Sequence, residues 1–356
     1  MRIRQFMLLT VISALLIAGF SGINLGEEKA NEAESPGGSK ITPAARKSID
    51  KGMKWLISAI RSDGMVGPDI GQPPDLACTA IVGMALLSEG NTPTCGPHHR
   101  QLRKVLNAVL DKVEALPDND DPSRPPALVR RKIGRNADLF LANLFLSQAL
   151  GESDVAEPDV RRAILKLSGI ICRSQGKDGT WGNEAWAPVL GTVLGWECLR
   201  GSSASGIPVE GSARRAGEAL RAKLKETTDN RADWMQDFYK HASSVRVLYS
   251  MKYQDDPIFK ECVKRILKFA EEDHRPFEQA GGEEYLAFYL VTECLLKEPQ
   301  PSWERWYPTV RNKIVRVQNA DGSWMGHHCI TDRTFCTAAA LLTLQAPNFY
   351  LPVSDL

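Results

Sequence analysis

The spacing of apolar residues predicts an all-helical chain built from two kinds of helix. In AILKLSGIIC, Ile164, Leu167 and Ile171 recur at the three- and four-residue intervals of an amphipathic helix. The segments LFLANLFLSQAL and YLAFYLVTECLL are apolar on nearly every side, which is typical of helices that are buried all round. Because the two kinds alternate, we expect outer amphipathic helices to pair with inner buried ones.

Twelve helices can be placed along the chain as six outer–inner pairs. The predicted ranges are 44–61 with 75–88, 98–116 with 137–150, 160–174 with 184–199, 212–226 with 237–251, 257–272 with 283–296, and 303–317 with 332–344. A repeat of about fifty residues, each unit one helical hairpin, indicates either a stacked array or a closed ring.

One turn motif follows outer helices at well-separated places. It reads QNADGSW at 318–324 and QGKDGTW at 175–181, and LISAIRSDGMVG at 56–67 keeps only the Asp-Gly. Asp bonds its own backbone and Gly accepts positive φ, so Asp-Gly favours a tight turn. The Trp can cover the helix ends, and the Gln can bond the backbone groups left unpaired there. We interpret the motif as the corner between an outer and an inner helix.

The motifs QxxDGSW and QxxDGTW resemble the repeat of squalene and hopene cyclases and related terpenoid cyclases, whose fold the protein prenyltransferase β-subunits share. The resemblance implies an (α/α)6 toroid, in which the first and sixth inner helices lie side by side. It also implies an aromatic-lined central cavity. We therefore expect a cavity that binds or transforms an isoprenoid, and we leave open whether any reaction occurs. The alternative is a non-catalytic toroid that binds a lipid, glycan or protein partner.

In such a ring all inner helices begin at one mouth, where we place the candidate site. The candidates for binding are Trp186, Tyr239, His241, Glu283, Tyr285 and Phe335, and those for catalysis are Glu284, His328 and Asp332. The pair Glu283-Glu284 can mimic the carboxylates of (α/α)6 glycosidases. An acidic pair in the first turn also stabilises a helix N-terminus, by about 0.3–1 kcal/mol per residue.

The segment GHHCITDRTFC, residues 326–336, has three interpretations. A zinc site suits its ligand types, and the candidate ligands are Cys78, His327, His328, Cys329, Asp332 and Cys336. A disulfide of Cys329 with Cys78 or Cys336 suits an exported protein. The third interpretation is reduced cysteines with hydrogen-bonded histidines. In the prenyltransferases Asp-x-Tyr-His supplies zinc ligands; Asp332 matches its Asp, but Phe335 replaces its His.

Two further segments have competing interpretations. Cys262 and Cys294 fall at the same end of one hairpin and form a second candidate bridge. Residues 118–121, DNDD, match the Asp-x-Asp-Asp acid motif of class II terpenoid cyclases. Their Pro-rich surroundings predict a solvated acidic loop instead, because the cyclase motif runs directly into an inner helix.

Composition and charge add the cellular context. The chain of 356 residues has a net charge of +1, so we expect no nucleic-acid partner. Arg2 and Arg4 precede an apolar run at 6–20, which predicts an export signal or an uncleaved anchor that tethers the chain to a membrane. We predict a periplasmic, extracellular or membrane-anchored protein with a signal or anchor at 1–24, a polar linker at 25–41, the toroid at 42–351 and a tail at 352–356.

Overall fold

The structure is a computed structural model. It describes residues 41–118, 127–152, 157–181, 185, 187–226, 234–272, 275–297 and 300–348. The predicted signal or anchor, the linker, the tail and most of the DNDD motif lie outside these residues. Within them the secondary structure is helical and no strand occurs. No helix among the described residues combines the length and the apolar character needed to span a bilayer.

The helices alternate between two rings, as the apolar pattern predicts. In chain order they are α1 Pro43–Ala59, α2 Leu76–Ser88, α3 His99–Glu114, α4 Leu128–Ile133, α5 Ala137–Ala149, α6 Glu157–Ser174, α7 Pro188–Ala204, α8 Glu210–Glu226, α9 Trp234–Ser250, α10 Pro257–Glu272, α11 Arg275–Glu278, α12 Gly282–Leu296, α13 Gln300–Arg316 and α14 Arg333–Gln345, followed by a 3-10 turn at Ala346–Asn348.

The inner helices form a closed ring. Each packs against the next in the order α2, α5, α7, α9, α12 and α14, and α14 packs back on α2. The outer helices α1, α3, α6, α8, α10 and α13 surround this ring and pack against the inner helices. This arrangement confirms the predicted (α/α)6 toroid and excludes an open array.

Burial differs between the rings because each helix is covered on different sides. Every residue of α2 and of α5 is buried, since these helices contact neighbours on all sides. The outer helix α3 buries one stripe, formed by Leu102, Val105, Leu106, Val109 and Val113. The three- and four-residue spacing of that stripe produces one covered face and one solvated face.

The corner motif ties three of the hairpins to the following outer helix. Trp324 Nε1 donates to the carbonyl of Ile314 at 2.8 Å, which covers the end of α13. Gly322 has φ +97°, and a Cβ there would lie 2.6 Å from the carbonyl oxygen of Lys51 in α1. Glycine is therefore required both for the turn and for the close approach to the next outer helix. Gly179 approaches α8 and Gly64 approaches α3 in the same way.

Hydrogen bonds between the ends of the domain close the ring. Gln318 Nε2 donates to the carbonyl of Ser48 at 2.9 Å, and Ser48 Oγ donates to Gln318 Oε1 at 2.7 Å. The backbone N–H of Thr334 donates to the carbonyl of Pro68 at 3.0 Å. The last corner thus binds the first outer helix as the corner after α6 binds α8, where Gln175 Nε2 donates to the carbonyl of Ser212.

The centre of the ring is filled, so the expected aromatic-lined cavity is wrong. Among the described residues, the void between the inner helices measures about 20 Å³ and is lined by side chains such as Ile81, Leu290 and Tyr289. This is room for about one water molecule. The side chains of the short inner helices meet across the axis. Arg246, which forms an ion pair with Glu197, also borders this void, and it does not suit an apolar chain.

Candidate functional site

Three of the inner helices carry carboxylates at their starts, the region in which the sequence places the candidate site. We use the name mouth for the starts of α2, α12 and α14 together with the loop of residues 326–331. Asp75 is the N-cap of α2, and its Oδ1 accepts from the backbone N–H of Cys78 at 2.9 Å. Asp332 holds the same position in α14, but its side chain makes no capping bond. Glu283 and Glu284 lie in the first turn of α12.

Asp332 is one of the carboxyl groups of the mouth whose surroundings favour a bound proton. It is only 9% exposed, and it lacks the capping bond that Asp75 makes. Burial raises the pKa of Asp332 to about 6, the nearby charge of Asp75 contributes to the increase, and Arg131 opposes both effects. A carboxyl group with a pKa in this range can hold or release a proton near neutral pH.

Glu283 and Glu284 anchor the adjoining chain. Glu284 Oε2 accepts from the backbone N–H of the N-cap residue Gly281 at 2.6 Å, which is the glutamate half of a capping box at the start of α12. Glu283 Oε2 accepts from the backbone N–H of Ile330 at 3.2 Å. Burial raises the pKa of Glu283 to about 7, although the backbone hydrogen bonds oppose this shift. The pair therefore holds the loop of residues 326–331 against α12.

The loop places His328 over this acidic pair. His328 Nε2 lies 3.4 Å from Glu284 Oε2. One ligand atom each from Glu283, Glu284 and His328 lies within 4.8 Å of the others, which is a group that can hold a metal ion. Within the described residues, the predicted six-residue ligand set does not form such a group. His327 is exposed, although its backbone N–H donates to the carbonyl of Ala280 at 2.8 Å.

The predicted disulfides do not form. All eight cysteines lie in the described part of the chain, and all are free thiols. Cys78 and Cys336 are fully buried, and burial raises the pKa of both thiols well above its ordinary value. Cys336 Sγ donates to the carbonyl of Ile330 at 3.6 Å. Adjacent helices therefore bring these cysteines into one region, as predicted, but as reduced core residues.

Several predicted binding residues are core residues. Tyr285 and Phe335 are 2% and 0% exposed, so they pack in the core beneath the mouth and do not line the mouth. His241 lies between α9 and α10, where its Nδ1 is 3.4 Å from Cys262 Sγ, so its placement at the mouth is wrong. Cys262 consequently faces His241 and does not bridge to Cys294. Trp186 and the side chain of Tyr239 lie outside the described residues.

A cleft lies beside the mouth, and it was not predicted from the sequence. It measures about 540 Å³, and its lining includes Asp75, Leu116, Arg130, Asp138 and the prolines Pro68, Pro73, Pro74 and Pro117. Arg130 belongs to the short helix α4, and its Nε lies 3.7 Å from Asp138 Oδ1. The segment GQPPDL at 71–76 could have indicated this cleft, because paired prolines before an N-cap Asp favour a rigid, exposed loop.

Comparisons with known proteins support the fold and correct the expected chemistry. No protein-family model and no curated protein matches the chain. The solved structure of the GH76A alpha-1,6-mannanase from Salegentibacter sp. HEL1_6 is similar, with a TM-score of 0.56, 7% sequence identity and coverage of 86% of this chain and 99% of that chain. An inactive variant, in which two adjacent aspartates are replaced by asparagine, is bound to alpha-1,6-mannotriose and matches with a TM-score of 0.55, 8% identity and coverage of 85% and 99%.

At these identities the likeness defines the class of fold, the (α/α)6 toroid, and does not assign an activity. The expectations of a prenyltransferase- or cyclase-like protein and of an isoprenoid ligand are wrong. The similar structures are mannanases, two of them bound to mannooligosaccharides, and the described part of the ring leaves no room for an apolar chain at its centre. The alternative of a toroid that binds a glycan agrees better with both findings.

Proposed function

We propose that the cleft beside the mouth of this toroid binds a glycan. The observation that carries the proposal is the cleft of about 540 Å³ beside Asp75, which contrasts with the filled centre of the ring. Its volume falls within the usual range for ligand sites, and it combines apolar walls with a few polar groups. Carboxylate and guanidinium groups such as Asp75 and Arg130 suit sugar hydroxyls, because they accept and donate hydrogen bonds in fixed directions.

Glycoside hydrolysis is a second candidate function, favoured by the state of Asp332. Glycosidases commonly use two carboxyl groups, of which one keeps its proton near neutral pH. The raised pKa of Asp332 suits the proton donor, and Asp75 lies close enough to influence it. The likeness to mannanases, inactive when two aspartates are replaced, supports this candidate. Among the predicted catalytic residues, Glu284 is already engaged as a cap and by His328.

The test is titration of the purified full chain with alpha-1,6-mannotriose and related mannooligosaccharides. Asp75→Asn should weaken binding at least about tenfold, because the amide keeps the helix cap but loses the carboxylate that faces the cleft. Asp256→Asn is the matched control, since Asp256 accepts a backbone bond at the start of α10, the end of that outer helix away from the start of α12. New reducing ends in the same samples would show hydrolysis in addition to binding.

The result that rejects the proposal is a folded wild-type chain that binds no sugar in the panel. Equal loss of binding in the Asp75 and Asp256 variants would also reject the mouth as the site. That the chain binds zinc and that it is exported are still predictions, and the proposed glycan binding depends on neither of them.

A further inference from the structure

A buried cluster of Glu283, Glu284 and His328 lies beneath the loop of residues 326–331. Both glutamates are 0% exposed, and the His328 side chain is 24% exposed. One ligand atom from each residue lies within 4.8 Å of the other two. The cluster therefore brings two carboxylates and one imidazole together largely away from solvent.

One carboxylate oxygen of this cluster lacks a donor. Glu283 Oε1 is buried without a hydrogen-bond partner among the described residues, whereas Oε2 accepts from the backbone N–H of Ile330. The Cys329 thiol lies within hydrogen-bonding reach of the Glu283 carboxylate, but a thiol is a weak donor and compensates a buried carboxylate poorly. A buried acceptor that is left unsatisfied destabilises the folded state. A bound cation would remove that destabilisation.

The backbone around the cluster is shaped for close approach. A Cβ at Gly281 would lie 2.9 Å from Glu283 Oε2 and 3.1 Å from His328 Cε1. A side chain at this position would therefore enter the space between the carboxylate and the imidazole. Glycine at 281 keeps that space available for a ligand of both groups.

We propose that Glu283, Glu284 and His328 bind one zinc ion. Imidazole nitrogen with carboxylate oxygen is a ligand combination that zinc accepts, whereas calcium and magnesium are bound through oxygen. Three protein ligands leave the fourth position of a tetrahedral ion for water or another ligand. This inference goes beyond glycan binding and does not depend on it.

The ion would join α12 to the loop that leads into α14. Two backbone hydrogen bonds already make this connection, from His327 N–H to the Ala280 carbonyl at 2.8 Å and from Gly282 N–H to the Ile330 carbonyl at 2.9 Å. The Ile330 N–H adds a third connection to Glu283 Oε2, and zinc would join three side chains across the same boundary and fix the loop that precedes Asp332. We therefore expect zinc to protect residues 326–331 from backbone hydrogen exchange.

The experiment uses the full chain, stripped of metal with a chelator and titrated with zinc chloride alone. Calorimetry and elemental analysis after desalting should show one zinc per chain. Glu283→Gln and His328→Ala should each lower the affinity at least about tenfold, since even indirect partners of a metal site often contribute that much. His327→Ala is the matched control, because this exposed neighbour lies outside the cluster. It should bind zinc within about twofold of wild type.

Circular dichroism establishes that each variant folds before its zinc affinity is interpreted. If Glu283→Gln fails to fold, the partly exposed His328 carries the test through its alanine variant. Zinc should raise the melting midpoint of wild type and of His327→Ala but not of His328→Ala. Absence of zinc binding by folded wild type, or equal loss in the His327 and His328 variants, overturns the proposal. Sugar titration of the zinc-free chain tests glycan binding separately.

Discussion

Buried carboxylates occur near both ends of the inner helices, but their partners differ. Toward the C-terminal ends, Arg246 donates to both oxygens of Glu197 at 2.9 Å and to Glu293 Oε2 at 3.2 Å. Tyr289 donates to the other oxygen of Glu293 at 2.7 Å. At the mouth, by contrast, Glu283 Oε1 has no hydrogen-bond partner among the described residues.

The pKa values of Glu197 and of the mouth carboxyl groups follow this difference in partners, whereas burial raises the pKa of Glu293 even beside Arg246 and Tyr289. Although burial opposes it, Arg246 and Arg200 hold the pKa of Glu197 below its ordinary value. Burial raises the pKa of Asp332 to about 6 and that of Glu283 to about 7, because the cations near them are too few to compensate. We call Arg246, Glu197, Glu293 and Tyr289 the Arg246 cluster. We infer that this cluster stabilises the ring, whereas the mouth keeps carboxyl groups available to a ligand.

The largest effect is expected from Arg246→Met, which tests whether the Arg246 cluster is structural. Removing the guanidinium leaves Glu197 and Glu293 buried without their shared cation. We expect a loss of about 3–5 kcal/mol in the free energy of unfolding, the usual result of breaking a buried ion pair from one side. Urea unfolding of wild type and variant measures it.

The control for this prediction is Arg305→Met. Arg305 pairs with Glu271 at 2.7 Å, but the arginine side chain is 54% exposed. An exposed pair contributes about 0–1 kcal/mol, so this variant should unfold close to wild type. Similar losses from the two arginines would contradict the assignment of Arg246 to a stabilising cluster.

A somewhat smaller effect is expected from Asp332→Asn, and it should depend on pH. The unfolded chain releases this proton near the ordinary pKa of 3.8, whereas folded Asp332 holds it up to about 6. Between these values the folded state binds more protons, so the stability of wild type falls as pH rises. The Asp332→Asn variant lacks this contribution, because an amide does not titrate in this range.

The expected gain of the Asp332→Asn variant over wild type, on going from pH 4 to pH 7, is at most about 3 kcal/mol. Urea unfolding across that pH range measures it. Asp255→Asn, at a fully exposed side chain, should reproduce the wild-type profile. Parallel pH profiles for wild type and Asp332→Asn would show that this carboxyl group is not held protonated by its surroundings.

The helices could be predicted from sequence because the spacing of apolar residues along each one shows which of its sides packs against neighbouring helices. The fifth outer helix was predicted at 257–272 and occurs as Pro257–Glu272. The third inner helix was predicted from 184 but begins at Pro188, because proline lacks an N–H and suits the first helical position. The helix α4, Leu128–Ile133, was missed since six residues are too few to show a period.

The site was harder to predict because it depends on how each helix is rotated about its axis and on which side chains fill the centre of the ring. Ring closure correctly brought the starts of α2 and α14 together, but spacing does not say that Cys78 and Cys336 face the core. The filled centre depends on where side chains such as Leu290 meet across the axis. The metal cluster joins residues 283–284 to His328, and only the folded loop brings these positions together.

The smallest expected effect is the difference between alanine variants of two glycines near the mouth. Comparing them separates the strain of the turn itself from the contact that closes the ring. Gly322→Ala should destabilise the chain by about 2 kcal/mol or more, because φ is +97° and the new Cβ would meet Lys51 of the first outer helix. Gly71→Ala has a similar φ of +81° but open space around it, so it should cost about 1 kcal/mol. Urea midpoints of the two variants measure the difference. Equal losses would mean that the last corner does not press on α1, and the closure of the ring would then rest on the hydrogen bonds of Gln318 and Thr334.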